Sequence, residues 1–386
     1  MPEPPPDSLP AIPAIAAREY RPELDALRFL AFLMVFLAHE SPGFPIAAFN
    51  MGPEAARMVT VMGRGSGTGL CLFFALSAYL ITTLLLKERE QNPVISVRKF
   101  YLRRVLRIWP LYLFGILLGI AWALLRHHPY ELNAFPWLLL FAGNFYFAHF
   151  GWTGSPMTPL WSISVEEQFY LLWPWAMRWF SRRGLVVCAL SFIAAANLTL
   201  FYFGRIHAEN DPTVWCNTQV QFQMFAVGIL LALARKRLMP GGAAVGALLA
   251  ILGLVLWFFA NHFFLVKRSQ AAGMAVSGLS LIAGYALIAL GCAAVLHGFC
   301  MIGPSHIPRW AASLGKISYG LYVYHFLVMA LTSVFLNRLH IHPFSGASAA
   351  VSLLVTIVAA KLSYAWLESP FLRLKRRFEI VHSRPI

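Results

Sequence analysis

Two ionisable residues share one face of the first strongly apolar segment of the chain. Arg28 and His39 lie in the stretch from Tyr20 to Glu40, YRPELDALRFLAFLMVFLAHE. In an α-helix their eleven-residue spacing is almost three turns, roughly 16 Å of rise, so both side chains point the same way. Burying a charge in a bilayer costs about 3 kcal/mol or more, which makes such residues functional-site candidates. The alternative is a histidine that simply ends a helix at the membrane interface.

Two adjacent glutamates interrupt a second apolar stretch, PLWSISVEEQFYLLWP. Glu166 and Glu167 are costly to bury without partners, and they point about 100° apart on a helix. Ser164, Glu167 and Tyr170 step three residues at a time along one broad face. Alternatively, the glutamates pair with basic residues of another helix and hold the bundle together, which is compatible with a site.

A pair of arginines begins another span, in KFYLRRVLRIWPLYL. Arg104 and Arg107 are three residues apart and therefore neighbours on one helical face. Planar guanidinium groups suit a phosphate-rich ligand, because each offers several donors in a fixed arrangement. The alternative is an anchor of basic residues at the cytoplasmic membrane edge.

Three further candidates lie in other apolar segments. Tyr322 and His325 share a face with Ser318 in KISYGLYVYHFLVMA, and Ser77 lies in FFALSAYLI. A hydrogen-bonded structural histidine explains His325 as well as a functional one does. These signals are weak individually.

Composition indicates what surrounds these residues. The 386-residue chain is 59% hydrophobic and only 12% charged, far below the ~25% charged content of soluble domains. We therefore predict an all-α, polytopic membrane protein. The net charge of +15 comes from short basic clusters between apolar runs, which is typical of cytoplasmic loops rather than of nucleic-acid binding. The five cysteines show no paired spacing, so neither a disulfide framework nor a metal site is expected.

The apolar segments predict about ten transmembrane helices, because each is close to the ~20 residues that cross a bilayer. The predicted spans are 24–41, 66–86, 100–125, 161–180, 184–203, 219–235, 243–266, 273–297, 315–337 and 346–367. A shorter segment, 135–150, is interpreted as a re-entrant or interfacial helix, since counting it as a span would place Arg178, Arg182 and Arg183 outside. Residues 1–18 are predicted to form a disordered Pro/Ala-rich cytoplasmic tail, 19–378 a single membrane domain and 379–386 a C-terminal cytoplasmic tail.

Taken together and in this order, the motifs resemble those of the acyltransferase 3 family of bacterial membrane O-acyltransferases, over roughly residues 19 to 377. A basic residue, ten residues and then a histidine match Arg28 to His39. The R-x-x-R pattern matches Arg104 to Arg107, and S-x-x-E-x-x-Y matches Ser164, Glu167 and Tyr170. One departure is Ala78, where many members have glycine after the serine; it concerns helix packing near Ser77. The chain ends soon after the last predicted span, so we expect a stand-alone member without the SGNH hydrolase-like domain of some relatives.

The resemblance implies transfer of an acyl group, commonly acetyl, from cytoplasmic acyl-CoA to a hydroxyl outside the membrane. The expected acceptor is a carbohydrate, a glycolipid or a glycosylated small molecule, and the expected location is the bacterial inner membrane with both termini cytoplasmic. Arg28, Arg104 and Arg107 would hold the donor phosphates, and His39 would act as general base. Glu40 or Glu167 would orient the imidazole, while a serine or tyrosine hydroxyl donates to the developing oxyanion.

Two other classes of function use the same residues. A transporter or flippase of an anionic lipid-linked saccharide would use the arginines and glutamates along its substrate path. A non-catalytic membrane scaffold would need every histidine to be structural. The absence of a visible internal repeat and the match of the motifs count against the transporter, and nothing in the sequence favours the scaffold except that the histidines could all be structural.

Overall fold

The computed structural model describes residues 20–40, 63, 65–206, 211–238, 241–264, 277–339 and 346–380. Almost all of these residues are helical, and none of them forms a strand. The predicted N-terminal tail and most of the predicted C-terminal tail lie outside the described residues. The all-α prediction is confirmed.

Each of the ten predicted spans coincides with a helix. In chain order, with the shorter helices included, they are α1 (Pro22–Glu40), α2 (Gly69–Gln91), α3 (Val97–Leu125), α4 (Phe135–Leu139), α5 (Gly143–Phe150), α6 (Trp161–Trp179), α7 (Arg182–Arg205), α8 (Asp211–Trp215), α9 (Thr218–Ala234), α10 (Gly242–Phe263), α11 (Gly278–Ile302), α12 (Arg309–Lys316), α13 (Ser318–Arg338), α14 (Gly346–Ser363) and α15 (Ser369–Lys375). A short π-helical segment, Tyr364–Glu368, joins α14 to α15.

Within the described ranges, seven helical stretches are long and apolar enough to cross a membrane. Three predicted spans are not among them. Helix α9 has only 17 residues. Helices α1 and α6 each carry three or more charged residues, including Arg28 in the first and Glu166 and Glu167 in the second. The helices that differ most from ordinary spans in composition are therefore two that carry candidate site residues, and the count of ten stays a prediction.

The segment 135–150 folds as two short helices, α4 and α5, of 5 and 8 residues. Neither reaches the ~20 residues needed to cross a bilayer. Phe141, between them, adopts a left-handed backbone conformation with φ of 52°, which turns the chain back on itself. This agrees with a re-entrant or interfacial element.

Local sequence explains where several helices begin. Ser181 accepts a hydrogen bond from the Gly184 amide at the start of α7, and Ser277 accepts one from the Ser280 amide at the start of α11. Asn217 caps α9 in the same way. Such caps satisfy amides that have no partner within the helix.

Helix α2 lies at the centre of the bundle. In the apolar window of its span, 67% of the residues are buried, against 22% for α7 and for α10. Opposite Gly228 of α9 its residues are small, and a side chain added at Gly228 would collide with the Ala75 carbonyl oxygen and approach the Ala78 methyl group to 2.9 Å. Small residues let membrane helices approach closely, so Ala78 is accommodated opposite a glycine.

A second close approach fixes the start of α1. A side chain at Gly315, near the end of α12, would collide with the Asp25 carbonyl oxygen. Asp25 is 2% exposed, and one turn later on α1 lies Arg28. The contact of α12 with α1 therefore sets where Asp25 and its neighbouring arginine lie.

Candidate active site

A cavity of about 990 Å³ opens at the end of the bundle where α1, α3 and α13 begin and where α2, α9 and α11 end. We call it the basic cavity. Eight of its lining residues are Arg or Lys and four are Asp or Glu: Arg21, Arg28, Lys87, Arg104, Arg107, Arg235, Lys236 and Lys375 against Glu23, Asp25, Glu90 and Glu166. This excess of positive charge favours an anionic ligand.

The three predicted phosphate-binding arginines all line this cavity. Arg28 donates to Asp25 at 2.7 Å. The Arg104 guanidinium lies 5.7 Å from the Tyr170 ring centroid, and its buried Nε has no hydrogen-bond partner. Among the described residues, neither Arg104 nor Arg107 has a carboxylate within 4.0 Å. No ion pair of that length in the described ranges therefore uses either guanidinium to hold helices together, and the buried Nε of Arg104 lacks the partner that buried donors normally have.

The two adjacent glutamates face different surroundings. Glu166 lines the cavity and accepts a hydrogen bond of 2.6 Å from the Ser77 hydroxyl. Glu167 lies beside Trp109, outside the cavity lining, and its Oε1 is buried without a hydrogen-bond partner. The separation follows from the 100° step between successive helical residues.

The S-x-x-E-x-x-Y residues do not form one cluster. Tyr170 lines the cavity, whereas Ser164 is fully buried and its hydroxyl points toward Gly143 at the start of α5. The hydroxyl of Ser164 has no hydrogen-bond partner. Ser164 and Glu167 therefore face α5 and Trp109 of α3, while Tyr170 faces the ligand space.

Two hydroxyl groups line the basic cavity at the end nearest the middle of α13. Ser162 Oγ and the Tyr322 hydroxyl lie 2.7 Å apart, and each is also within hydrogen-bond distance of the Pro159 carbonyl oxygen. Phe73 packs edge-on against the Tyr322 ring at 6.0 Å. We call Ser162 and Tyr322 the hydroxyl partition. Ser162 was not predicted, because a serine among aromatic and aliphatic residues carries no distinctive signal.

His39 and His325 lie together beyond this partition, at the other end of α1. Nδ1 of His39 and Nε2 of His325 are 3.0 Å apart, and the two ring centroids are 5.1 Å apart. His325 is fully buried, and its Nδ1 lies 2.6 Å from the Tyr322 carbonyl oxygen. His39 is exposed. We call these two residues the histidine pair.

The structure thus groups the candidates into two sets. The basic cavity contains Arg28, Arg104, Arg107, Glu166, Tyr170, Ser77 and, at its inner end, Tyr322. The histidine pair lies one turn further along α13. Glu40 is the last residue of α1, and its expected role in orienting the base stays a prediction. Within the described ranges, no three histidine, cysteine or carboxylate side chains are placed to hold a metal ion, and the expectation of no metal stays a prediction too.

Comparison with known proteins places these features in a family. A family model described as an acyltransferase domain, acyltransferase 3, matches residues 21–365. The peptidoglycan O-acetyltransferase OatA of Listeria monocytogenes is 25% identical over 383 residues, which cover 92% of this chain and 56% of the relative. The putative peptidoglycan O-acetyltransferase YrhL of Bacillus subtilis is 27% identical over 385 residues, covering 91% of this chain and 55% of the relative.

A putative O-acetyltransferase of Staphylococcus aureus is 25% identical over 382 residues and is covered to 57%. The chain therefore spans a little over half the length of these curated relatives. No solved structure matches the chain. The family match includes Arg28, His39, the R-x-x-R arginines and the S-x-x-E-x-x-Y residues, and the chain belongs to the acyltransferase 3 family.

Proposed function

We propose that the protein is a membrane-embedded O-acyltransferase that moves an acyl group, commonly acetyl, from acyl-CoA to a hydroxyl of a carbohydrate acceptor. The observation that carries the proposal is the order of the site along the bundle. An arginine-lined cavity ends at the hydroxyl partition, and the histidine pair begins one helical turn beyond it. The family and the names of the relatives support O-acyl transfer as the chemistry.

The basic cavity suits the donor because an acyl-CoA carries its phosphates at one end and its thioester at the other. The buried Nε of Arg104 has no hydrogen-bond partner and can donate to a phosphate oxygen, and Arg107 and Arg28 line the same cavity. From Arg28 to His39 the helix rises roughly 16 Å. With the phosphates on the arginines, the thioester arm points along α1 toward the histidine pair.

The reaction then needs one proton transfer in each direction. His39 takes the proton of the acceptor hydroxyl as that oxygen attacks the thioester carbonyl carbon. The tetrahedral intermediate collapses with cleavage of the carbon–sulfur bond. The thiolate that leaves takes the proton back from the His39 imidazolium, so the products are the O-acyl ester and the free thiol. Ser162 and Tyr322 lie between the basic cavity and His39. A hydroxyl of one of them donates a hydrogen bond to the oxyanion of the tetrahedral intermediate.

The acceptor is proposed from the relatives rather than from this chain's geometry. Two of them are named peptidoglycan O-acetyltransferases, and a cell-wall or other surface carbohydrate is therefore our first choice. A glycolipid or a glycosylated small molecule offers the same reacting hydroxyl.

The sidedness of the reaction follows from the positive-inside rule. It places the basic cavity on the cytoplasmic side of the inner membrane, with both termini, and the histidine pair toward the outside. In a variant without native cysteines, a cysteine at Gln91 should resist an impermeant thiol reagent in intact cells, and one at His149 should react. Labelling from outside near Arg182 would overturn this topology.

The direct test is a release assay. Purified protein in nanodiscs is given acetyl-CoA and soluble peptidoglycan fragments, and free thiol and esterified acceptor are both measured. We expect both products in equal amounts. Anionic saccharide transport into vesicles without thiol release would instead favour a transporter. The absence of both activities would favour a non-catalytic scaffold.

A further inference from the structure

The contact between His39 and His325 joins two residues 286 positions apart in the chain. In the sequence, His325 was explained equally well as a structural or a functional histidine. The position of the His325 ring decides which of its two nitrogens carries the hydrogen. That nitrogen in turn decides the tautomer of His39.

The first step concerns Nδ1 of His325. This atom lies 2.6 Å from the Tyr322 carbonyl oxygen, and a carbonyl oxygen can only accept a hydrogen bond. Nδ1 of His325 must therefore carry the hydrogen. An unprotonated nitrogen at that distance would oppose its lone pair to those of the oxygen.

The second step follows from the neutral imidazole, which has one N–H and one acceptor nitrogen. His325 is fully buried, between the edge-packed ring of Phe32 and the ring of Phe326. These apolar neighbours favour the neutral ring, because burial disfavours charge. With its hydrogen on Nδ1, neutral His325 presents the lone pair of Nε2 to His39, 3.0 Å away.

The third step transfers this constraint to His39. Its Nδ1 faces an acceptor, so Nδ1 carries the hydrogen and donates it to His325. In neutral His39 the lone pair then lies on Nε2, on the opposite side of the ring. The contact also persists after His39 takes up a proton, because imidazolium keeps its Nδ1–H. The hydrogen bond need not rearrange between the base and acid stages of the reaction.

We infer that His325 is the positioning residue of the reaction: through its hydrogen bond to His39 it holds that ring in the tautomer whose Nε2 is the base. In many acyl-transfer sites a carboxylate has this task, and Glu40 or Glu167 was expected to have it here. Glu167 lies instead beside Trp109 on another helix. A backbone carbonyl and a neutral histidine together supply the orientation without bringing a negative charge into the bundle.

This inference rests on the proposed function, and the test separates the two. Four variants are compared with wild type in nanodiscs: His39→Ala, His325→Gln, His325→Met and the double variant His39→Ala/His325→Met. Glutamine places an acceptor oxygen near the position of Nε2, whereas methionine fills similar volume without an acceptor of comparable strength. For each variant, kcat and KM for acetyl-CoA, donor affinity and thermal unfolding are measured.

The expected result is a loss of about tenfold or more in kcat for His325→Met, with KM for the donor and donor affinity within about twofold of wild type. His325→Gln should recover most of the lost kcat. In a His39→Ala background, His325→Met should have no further effect, because there is no ring left to orient. A merely structural histidine would instead lower the unfolding temperature of Met and Gln variants alike and reduce activity in both backgrounds.

Several outcomes overturn the inference. One is a His325→Met variant whose kcat stays within about threefold of wild type while His39→Ala is inactive. Another is an equal loss from His325→Met with and without His39. If His39→Ala itself keeps most of the turnover, the proposed base is wrong, and so is the function assigned to this end of the site.

A measurement on the wild-type protein covers the case in which the His325 variants do not fold. Nitrogen-15 spectra of the histidine-labelled protein distinguish protonated from unprotonated ring nitrogens. The His39 signals are assigned by their loss in His39→Ala. We expect His39 with hydrogen on Nδ1 and an unprotonated Nε2, and the reverse tautomer overturns the inference.

Discussion

The basic cavity and the histidine pair meet on one turn of α13, but their side chains differ in kind. Charged residues line the cavity, whereas the pair consists of two hydrogen-bonded imidazole rings. Tyr322 belongs to the inner wall of the cavity, and His325, three residues later, belongs to the pair. The cavity has an excess of positive charge and leaves the Nε of Arg104 without a hydrogen-bond partner. The histidine pair relies on hydrogen-bond direction, with a buried neutral ring fixed by a backbone carbonyl. In the proposed function, the positive charge holds the donor and the direction of the hydrogen bond orients the base for proton transfer.

The sharpest test of this division is removal of the base. His39→Ala should lower kcat by about 10²–10⁴-fold, the usual range for general-base catalysis, and leave donor affinity unchanged. Steady-state turnover and equilibrium binding of labelled acetyl-CoA measure the two effects. Turnover within about tenfold of wild type would show that the pair is not the catalytic end.

The matching change in the cavity should have the opposite profile. Arg104→Ala and Arg107→Ala should each weaken donor binding by about 1.5–3 kcal/mol, or roughly 10- to 150-fold. Arg98→Ala is the control, since Arg98 is an exposed arginine on the same helix. Unchanged affinity with reduced expression would identify the two arginines as topology anchors.

A smaller effect should distinguish the adjacent glutamates. Glu166→Gln removes a negative charge from an anion-binding cavity and should tighten donor binding by about 1 kcal/mol, close to fivefold. Glu167→Gln should not change donor affinity, because Glu167 lies outside the cavity lining. Equal effects on donor affinity from both variants would contradict the separation of the two faces.

The smallest expected effect concerns the boundary between the two regions. Tyr322→Phe removes one hydroxyl of the partition but keeps the ring and the carbonyl that holds His325. We expect donor affinity within about twofold of wild type and a kcat lowered by about threefold, the lower end of what one neutral hydrogen bond contributes, because the Ser162 hydroxyl remains. Thiol release and ester formation should be measured together. A decrease in donor affinity larger than the decrease in kcat would show that Tyr322 belongs to the donor-binding site.

Segment length and helical periodicity predicted the long helices and part of the candidate site from the sequence. Apolar segment length placed the ten long helices of the described residues, because each span must satisfy its own backbone hydrogen bonds. Residues related by helical spacing, such as Arg104 and Arg107, were correctly placed on one face. The choice between Glu166 and Glu167 depends on how α6 is rotated against its neighbours, which spacing alone does not determine.

Contacts between distant segments were beyond such reasoning. His39 and His325 come together only because α1 and α13 pack against each other. Ser162 becomes notable only when Tyr322 is found 2.7 Å away. In both cases the residue types were ordinary for a membrane helix, and the information lay in tertiary packing.

The excess of arginine and lysine in the basic cavity has a kinetic consequence for the proposed function. Acyl-CoA and free CoA share their phosphates, so a lining that binds these phosphates would stabilise the bound donor and its spent product alike. Free CoA should therefore compete with the donor at a comparable affinity. An enzyme with this arrangement would respond to the ratio of acyl-CoA to CoA in the cytoplasm, and would slow when that ratio falls even if the acyl donor itself is abundant.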